Sequence, residues 1–456
     1  MNVRNNIGDP QFFDNHHFLH PFTDPKSIIE EGPRIISRAD GIYLWDSKGE
    51  KILDAMAGLW CVNVGYGREK LAQVAYEQLN LLPYYNSFFK TTTPPTIALA
   101  KKLVEISPKG FNHVFFTNSG SEANDTVIRT ARRYWRLLKQ PKKRIIISRE
   151  EAYHGSTMAA ASLGGQSFAH EMDGLPIPEI VHIDCPYWYG KGGNLTKNEF
   201  GIQNAQNLEK KIKEIGSENI AAFIGEPIQG AGGLIVPPDT YWSEIQRICK
   251  KYNILIIADE VICGFGRTGN WFGSETFGIK PDMMPIAKGL SSGYLPIGGV
   301  MINDRIMEIL IEKGGDFSHG FTYSGHPAAC AVAIENIKIL ENENLIEKVA
   351  KDTGPYLKKR WKELQNLQIV GEVRNVGMLG AIELVENKEK RKFFPKSKKV
   401  GETCRDICFK NNLIMRAIND TMVVSPPLTI TKNQINEMFD LVEHCINLTS
   451  KKIGRI

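Results

Sequence analysis

Ile254-Leu255-Ile256-Ile257-Ala258-Asp259-Glu260-Val261 is the stretch on which the fold turns: an apolar run of strand length that ends by delivering a carboxylate. A short run apolar on both faces marks a buried strand of a parallel sheet. In an open parallel sheet, ligands bind beyond the carboxyl ends of the strands, so Asp259 stands where chemistry is done. Read alone, a strand-end aspartate equally caps the next helix. Working outward, His113–Thr117, Ile145–Ser148, Ala221–Gly225 and Ile297–Ile302 are runs of the same kind. Between them the period turns helical: Ala123, Val127, Ala131, Tyr134 and Leu138 share a stripe, as do Ile245, Ile248, Cys249 and Tyr252, and Leu208, Ile212 and Ile215 end at Gly216. This alternation predicts an α/β fold around a parallel sheet. The ends differ: residues 26–55 alternate as a small antiparallel region with a turn at Ser47-Lys48-Gly49, and 331–456 mix helices with short strands. The two ends are expected to pair into one smaller domain, giving segments 1–60, 61–330 and 331–456. Glu386–Lys399, dense in Lys and Glu, reads as an exposed loop.

The chain has 456 residues, 42% hydrophobic and 23% charged, ordinary globular usage for about two domains. A net charge of +5, without an extended basic tract, excludes a nucleic-acid partner. No apolar run approaches the roughly 18 residues that cross a bilayer, and the first ten residues, MNVRNNIGDP, lead into no apolar targeting core. A cytoplasmic protein without a membrane partner is expected. Eight cysteines form no CxxC pair, and Cys404 and Cys408, though four apart, have no histidine beside them, so buried thiols are expected and a metal site is not.

One motif is a decoy. Gly264-Phe265-Gly266-Arg267-Thr268-Gly269 matches the GxGxxG pattern of dinucleotide sites. That pattern must fill the turn directly after a strand and open a helix; here Asp259-Glu260-Val261 intervenes and no helical period follows. A better phosphate site lies upstream, where the strand ending at Thr117 runs through Asn118-Ser119-Gly120-Ser121 into a helix. Small residues at a helix N-terminus leave N–H groups bare for a dianion. Downstream, Lys288 follows the apolar Met283–Ala287 and is flanked by small residues, a setting that desolvates an amine and lowers its pKa. A phosphate cup, a carboxylate for a pyridinium nitrogen and a lysine for an aldehyde together describe pyridoxal phosphate.

These segments resemble the class III (ω-) aminotransferases, fold-type I pyridoxal-phosphate enzymes. The resemblance rests on Asn118-Ser119-Gly120-Ser121-Glu122-Ala123, Tyr153-His154-Gly155, Gly225-Glu226-Pro227-Ile228-Gln229-Gly230, Asp259-Glu260-Val261 with its trailing Gly-rich run, Lys288, and Phe321-Thr322-Tyr323-Ser324-Gly325-His326-Pro327, in family order along almost the whole chain. It implies a mainly parallel seven-stranded sheet between helices, with a smaller α+β domain. It implies that Lys288 forms the Schiff base and moves the proton, that Asp259 partners the pyridine nitrogen and that Tyr153 stacks on the ring. Ser119, Gly120 and Ser121 are expected to hold the phosphate, with His154, Glu226, Val261 and Phe321 also around the cofactor. Thr322 is expected to reach the phosphate of a neighbouring subunit, which implies a homodimer with shared sites and leaves open whether dimers pair into tetramers.

Within the class the chain is similar to the amine:pyruvate branch, which includes putrescine, β-alanine and taurine aminotransferases. Phe22, Trp60, and Phe88 and Phe89 of the Tyr84–Phe89 cluster are expected to wall an amine donor, and Arg416 to bind the carboxylate of pyruvate or alanine. The expected reaction is ping-pong transamination through pyridoxamine phosphate, giving an aldehyde or keto product and L-alanine. The rivals are an aminomutase or decarboxylase on the same scaffold, and an idle binding protein, against which Lys288, Asp259 and Tyr153 argue.

Overall fold

The computed structural model describes residue 14 and residues 17–455, so the opening residues of the expected 1–60 segment lie outside the described part. A short helix, α1 (Pro25–Glu31), precedes three antiparallel strands, β1 (Ile36–Asp40), β2 (Tyr43–Asp46) and β3 (Lys51–Asp54). The antiparallel reading of 26–55 thus needs correction over its first residues. Pro25 at the first helical position and the Asp24 side chain, accepting from the Lys26 N–H, favour a helix start there.

Two helices, α2 (Glu69–Leu81) and α3 (Pro94–Ile106), lead into the large sheet. Its strands are β4 (His113–Thr117), β5 (Ile145–Arg149), β6 (Ile180–Ile183), β7 (Ile220–Gly225), β8 (Leu255–Ala258), β9 (Met283–Ile286) and β10 (Gly298–Ile302), in the spatial order β4-β10-β9-β8-β7-β5-β6. All neighbours are parallel except β10, which runs antiparallel to both β4 and β9. Every residue of β7, β8, β9 and β10 is buried, as the unbroken apolar runs require. Each fully buried Ile or Leu contributes roughly 1.5–3 kcal/mol, so the middle of this sheet is a rigid shelf.

The crossovers carry the predicted stripes. In α4 (Gly120–Leu137), Ala123, Val127, Ala131 and Tyr134 are buried. In α5 (Lys197–Ile215), Thr196 and Glu199 form a reciprocal cap and the helix stops at Gly216, whose φ is 88°. In α6 (Tyr241–Lys251), Ile245, Ile248 and Cys249 face the sheet. The next long helix, α7 (Pro327–Asn342), packs against α2 and α3, so a boundary at residue 330 cuts a helix that belongs with the elements preceding β4.

At the C-terminal end, helix α8 (Val400–Lys410) and helix α9 (Lys432–Lys452) accompany β11 (Val370–Val376), β12 (Leu379–Leu384), β13 (Leu413–Ile414), β14 (Arg416–Ile418) and β15 (Thr421–Val424). One sheet has the order β11-β12-β15-β14; the other joins β13 in parallel to β3 and so ties the two chain ends together. Cys404, Cys408 and Cys445 are buried where α8 meets α9, and all eight cysteines are free thiols. No helix among the described residues is long and apolar enough to cross a membrane. The decoy glycines serve close packing: a Cβ on Gly266 would come within 2.8 Å of Leu428, and one on Gly269 within 3.0 Å of Ala350.

Candidate active site

Because β10 reverses between β4 and β9, the strands β4, β5, β7, β8 and β9 all point the same way. Their carboxyl ends deliver the segments at Ser119, Tyr153, Glu226, Asp259 and Lys288 to one edge, around a cavity of about 390 Å³. Gly120, Ser121, His154 and Val261 also line it.

Asp259 is 3% exposed. One of its carboxylate oxygens accepts from His154 Nδ1 at 2.7 Å and from Asn124 Nδ2 at 2.8 Å, and the other from the Val261 N–H at 3.0 Å. Asn124 donates again, to the His154 carbonyl at 2.8 Å, so it fixes both the carboxylate and the loop that carries the histidine. The sequence reading gave Asn124 no role. Its signal was a polar residue on the buried side of α4, one position from Ala123.

Lys288 follows Ala287 and has φ of +46°, a left-handed conformation that costs a non-glycine residue of order 1–3 kcal/mol. The next residue has no room for a side chain: a Cβ at Gly289 would meet Asn63 Nδ2 at 2.5 Å, and that amide donates to the Phe265 carbonyl at 2.8 Å. Burial draws the Lys288 ammonium below the ordinary lysine value, against the opposing pull of Asp259 and Glu226. Glu226 accepts from the Tyr153 N–H at 3.2 Å and the Gly230 N–H at 2.9 Å, and burial pushes its carboxyl above the usual range.

At the start of α4, the Ser119 side chain caps the helix by accepting from the Glu122 N–H. Gly120 lies against Val261, whose methyl carbons would stand 3.1 Å from an added Cβ. Ser121 Oγ accepts from the Ser156 N–H at 3.0 Å. The first N–H groups of a helix have no partners within it, so this 18-residue helix presents donors and the positive end of its dipole to the cavity. The donor set fits pyridoxal phosphate: N–H groups for a dianion, a held carboxylate for a pyridinium and a desolvated amine for an aldehyde. The volume lies within the range of small-molecule sites, roughly 300–1,000 Å³.

Other expected site residues lie elsewhere in the chain. Trp60 is 1% exposed and belongs to a buried cluster that also holds Met56, Ile228 and the cavity-lining Ile262. Phe22 is 75% and Phe89 94% exposed. Phe88 and Phe89 line a separate cavity of about 1250 Å³. The Thr322 carbonyl accepts from Tyr84 Oη at 2.7 Å and Ser87 Oγ donates to the Ser324 carbonyl at 3.1 Å, so the segment holding Phe321 and Thr322 is packed on the aromatic cluster, away from the chain's own Lys288. Arg416, on β14, is half-buried and makes no side-chain hydrogen bond or ion pair among the described residues. Burial lowers its pKa, opposed by Tyr153.

Residues 29–446 match the Aminotransferase class-III family. The chain belongs to the class III aminotransferases. A putrescine–pyruvate aminotransferase of Pseudomonas aeruginosa is 59% identical over 443 residues, covering 97% of each chain. Gamma aminobutyrate transaminase 1 of Solanum lycopersicum is 42% identical over 98% of this chain and 88% of its own. Among solved structures, the omega transaminase of Pseudomonas jessenii in complex with PMP superposes with a TM-score of 0.96 at 41% identity, covering 98% of this chain and 100% of that one. The enzyme is therefore a pyridoxal-phosphate-dependent aminotransferase of fold type I.

Gly155 offers a direct test of the cup in this aminotransferase. It adopts φ of +138°, and an added Cβ would lie 2.4 Å from Ser121 Oγ and 2.7 Å from Ser121 Cα. Gly155→Ala is expected to displace Ser121 and weaken retention of pyridoxal phosphate at least about tenfold, followed by visible absorbance during dialysis. Unchanged retention contradicts the placement of the cup.

Proposed function

We propose that this aminotransferase moves an amino group from a primary amine or ω-amino acid, such as putrescine, to pyruvate. The observation that carries the reading is Arg416, a half-buried guanidinium without an ionic partner among the described residues, felt electrostatically at both Tyr153 and Lys288. A fork of this kind suits the carboxylate of pyruvate or alanine and has no use for a simple diamine. The putrescine–pyruvate relative supports the same pair of substrates.

Bound pyridoxal phosphate supplies an aldehyde that takes up the amine nitrogen and a ring that withdraws electrons from the substrate carbon. The rest falls to the chain. Lys288 Nζ, whose free base is favoured by desolvation, is the residue that would hold the cofactor aldehyde and would carry the proton to and from the substrate carbon. Asp259, fixed by His154, Asn124 and the Val261 N–H, is the carboxylate that would keep the ring nitrogen protonated. Gly120 and Ser121, beside Ser119, would hold the phosphate, and Tyr153 and Glu226, which line the same cavity, would hold the ring.

We also infer that two copies share their sites. The exposed Phe89 and Phe22, with Phe88, Phe321 and Thr322, serve the partner's cavity, which accounts for their distance from this chain's own. Action in the cytoplasm is supported by eight unbridged thiols. The smaller domain is read as the two chain ends joined by the β3–β13 pair.

Purified enzyme given putrescine and pyruvate is expected to form alanine in step with loss of the amine. An aminomutase or decarboxylase gives no alanine from pyruvate, and that result rejects the reading.

Asp259→Asn keeps the shape and removes the charge. It should lower kcat by several powers of ten, each tenfold step being about 1.4 kcal/mol, and near-normal turnover contradicts the role.

Arg416→Ala should reduce kcat/KM for pyruvate and for alanine roughly 30-fold to 1,000-fold, while a single-turnover half-reaction with putrescine stays within about tenfold. Stopped-flow measurement of each half-reaction decides; equal losses with amine and alanine identify a structural arginine instead.

A further inference from the structure

Helix α4 carries a second chemical face, turned away from its apolar stripe. Arg129, Arg132, Arg133 and Arg136 recur at spacings of three and four, which stacks four guanidinium groups on one side of the helix. Lys139 follows the helix end, and Arg144 lies alongside, its carbonyl accepting from Arg132 Nε at 3.0 Å. These six cations line a cavity of about 1060 Å³, distinct from the one that holds Lys288 and completed by Phe317, Ser318 and His319.

Their charge is barely answered. Among the described residues one carboxylate reaches them: Glu179, 3.2 Å from Arg132 Nη2 and 3.0 Å from Arg144 Nη2. Arg129 is bonded to uncharged groups, His319 Nδ1 at 2.8 Å and the Ser318 carbonyl at 2.8 Å. Arg133 donates to the carbonyls of Gly314 and Asp316. The side chains of Arg136 and Lys139 make no hydrogen bond or ion pair among the described residues. The positive field registers on a neighbour: His319 is pushed down to about 4, by burial first and by Arg129 second, so it is neutral near pH 7 and adds a ring face in place of a seventh charge.

Like charges at these spacings disfavour a helix, and a concave basic wall concentrates the field inside it. Guanidinium forks match phosphate oxygens two at a time. A single phosphate leaves most of the four cations without a carboxylate unanswered; a chain of phosphates, with oxygens a few ångströms apart, follows a row of arginines rising along a helix. We propose that this cavity binds a linear oligophosphate, as the free ion or as the phosphate arm of a nucleotide. Such an occupant bridges α4 to residues 317–319, just ahead of Phe321 and Thr322.

The test is calorimetric titration of tripolyphosphate into the holoenzyme, with excess pyridoxal phosphate keeping the cofactor cup filled. The native enzyme should bind, with affinity falling steeply as salt rises. The double variant Arg136→Glu/Lys139→Glu changes two exposed side chains with no partners to lose, so the fold is retained; its affinity should drop at least about tenfold while the visible absorbance of bound cofactor is unchanged. Titration with ATP separates the sources: a tighter fit than tripolyphosphate assigns a nucleotide, an equal or weaker one the free ion, and either keeps the phosphate chain as the recognised element. The proposal is overturned if the native holoenzyme gives no binding, if charge reversal leaves the affinity intact, or if Ser121→Ala abolishes binding while charge reversal does not, which places the anion in the cofactor cup.

Discussion

Three hydrogen bonds converging on the buried carboxylate of Asp259 are the constraint on which the rest of the site depends. A carboxylate taken out of water is tolerated only where donors replace its hydration. Here the donors come from three places: His154 from the loop after β5, Asn124 from α4, and the Val261 N–H from the turn after β8 itself. The carboxylate is positioned only when sheet, helix and loop are all in place. Asn124 links two of them directly, because its amide reaches both Asp259 and the His154 carbonyl. The fully buried shelf of β7, β8 and β9 keeps this geometry from relaxing.

Opposite that carboxylate, Lys288 is held in a backbone conformation it would not choose, and both features act on the amine. Its φ is left-handed, Gly289 beside it packs closely on Asn63, and burial lowers the cost of the neutral amine relative to the ammonium. A desolvated amine and a fixed negative charge at one sheet edge, with helix-end N–H groups beside them, are the groups that the proposed seating of a pyridine ring carrying an aldehyde and a phosphate rests on. The chemistry of the class III family follows from that polarity.

Much of this was legible in the sequence where one residue type implies one environment. The apolar runs located β4, β5, β7, β8 and β10, and the Ser-Gly-Ser turn, Asp259 and Lys288 emerged from their flanks. Strand β9 was missed because Met283-Met284-Pro285-Ile286 holds a proline, which argues against an interior strand; its carbonyl still serves the site by accepting from the Glu260 N–H at 3.0 Å. Strand β6 was missed because four residues at a sheet edge carry little pattern. The reversed direction of β10 was invisible, since a run buried on both faces reads alike either way. Phe88 and Phe89 line a cavity other than the one at Lys288, which their aromatic character alone did not reveal.

The central claim is that the desolvated amine of Lys288 bonds the cofactor. Borohydride reduction of the holoenzyme, followed by proteolysis and mass-spectrometric mapping, tests it most directly. The account predicts a pyridoxyl group on the peptide containing Lys288 and on no other lysine. A label on any other lysine, or none on a holoenzyme that turns over, contradicts it.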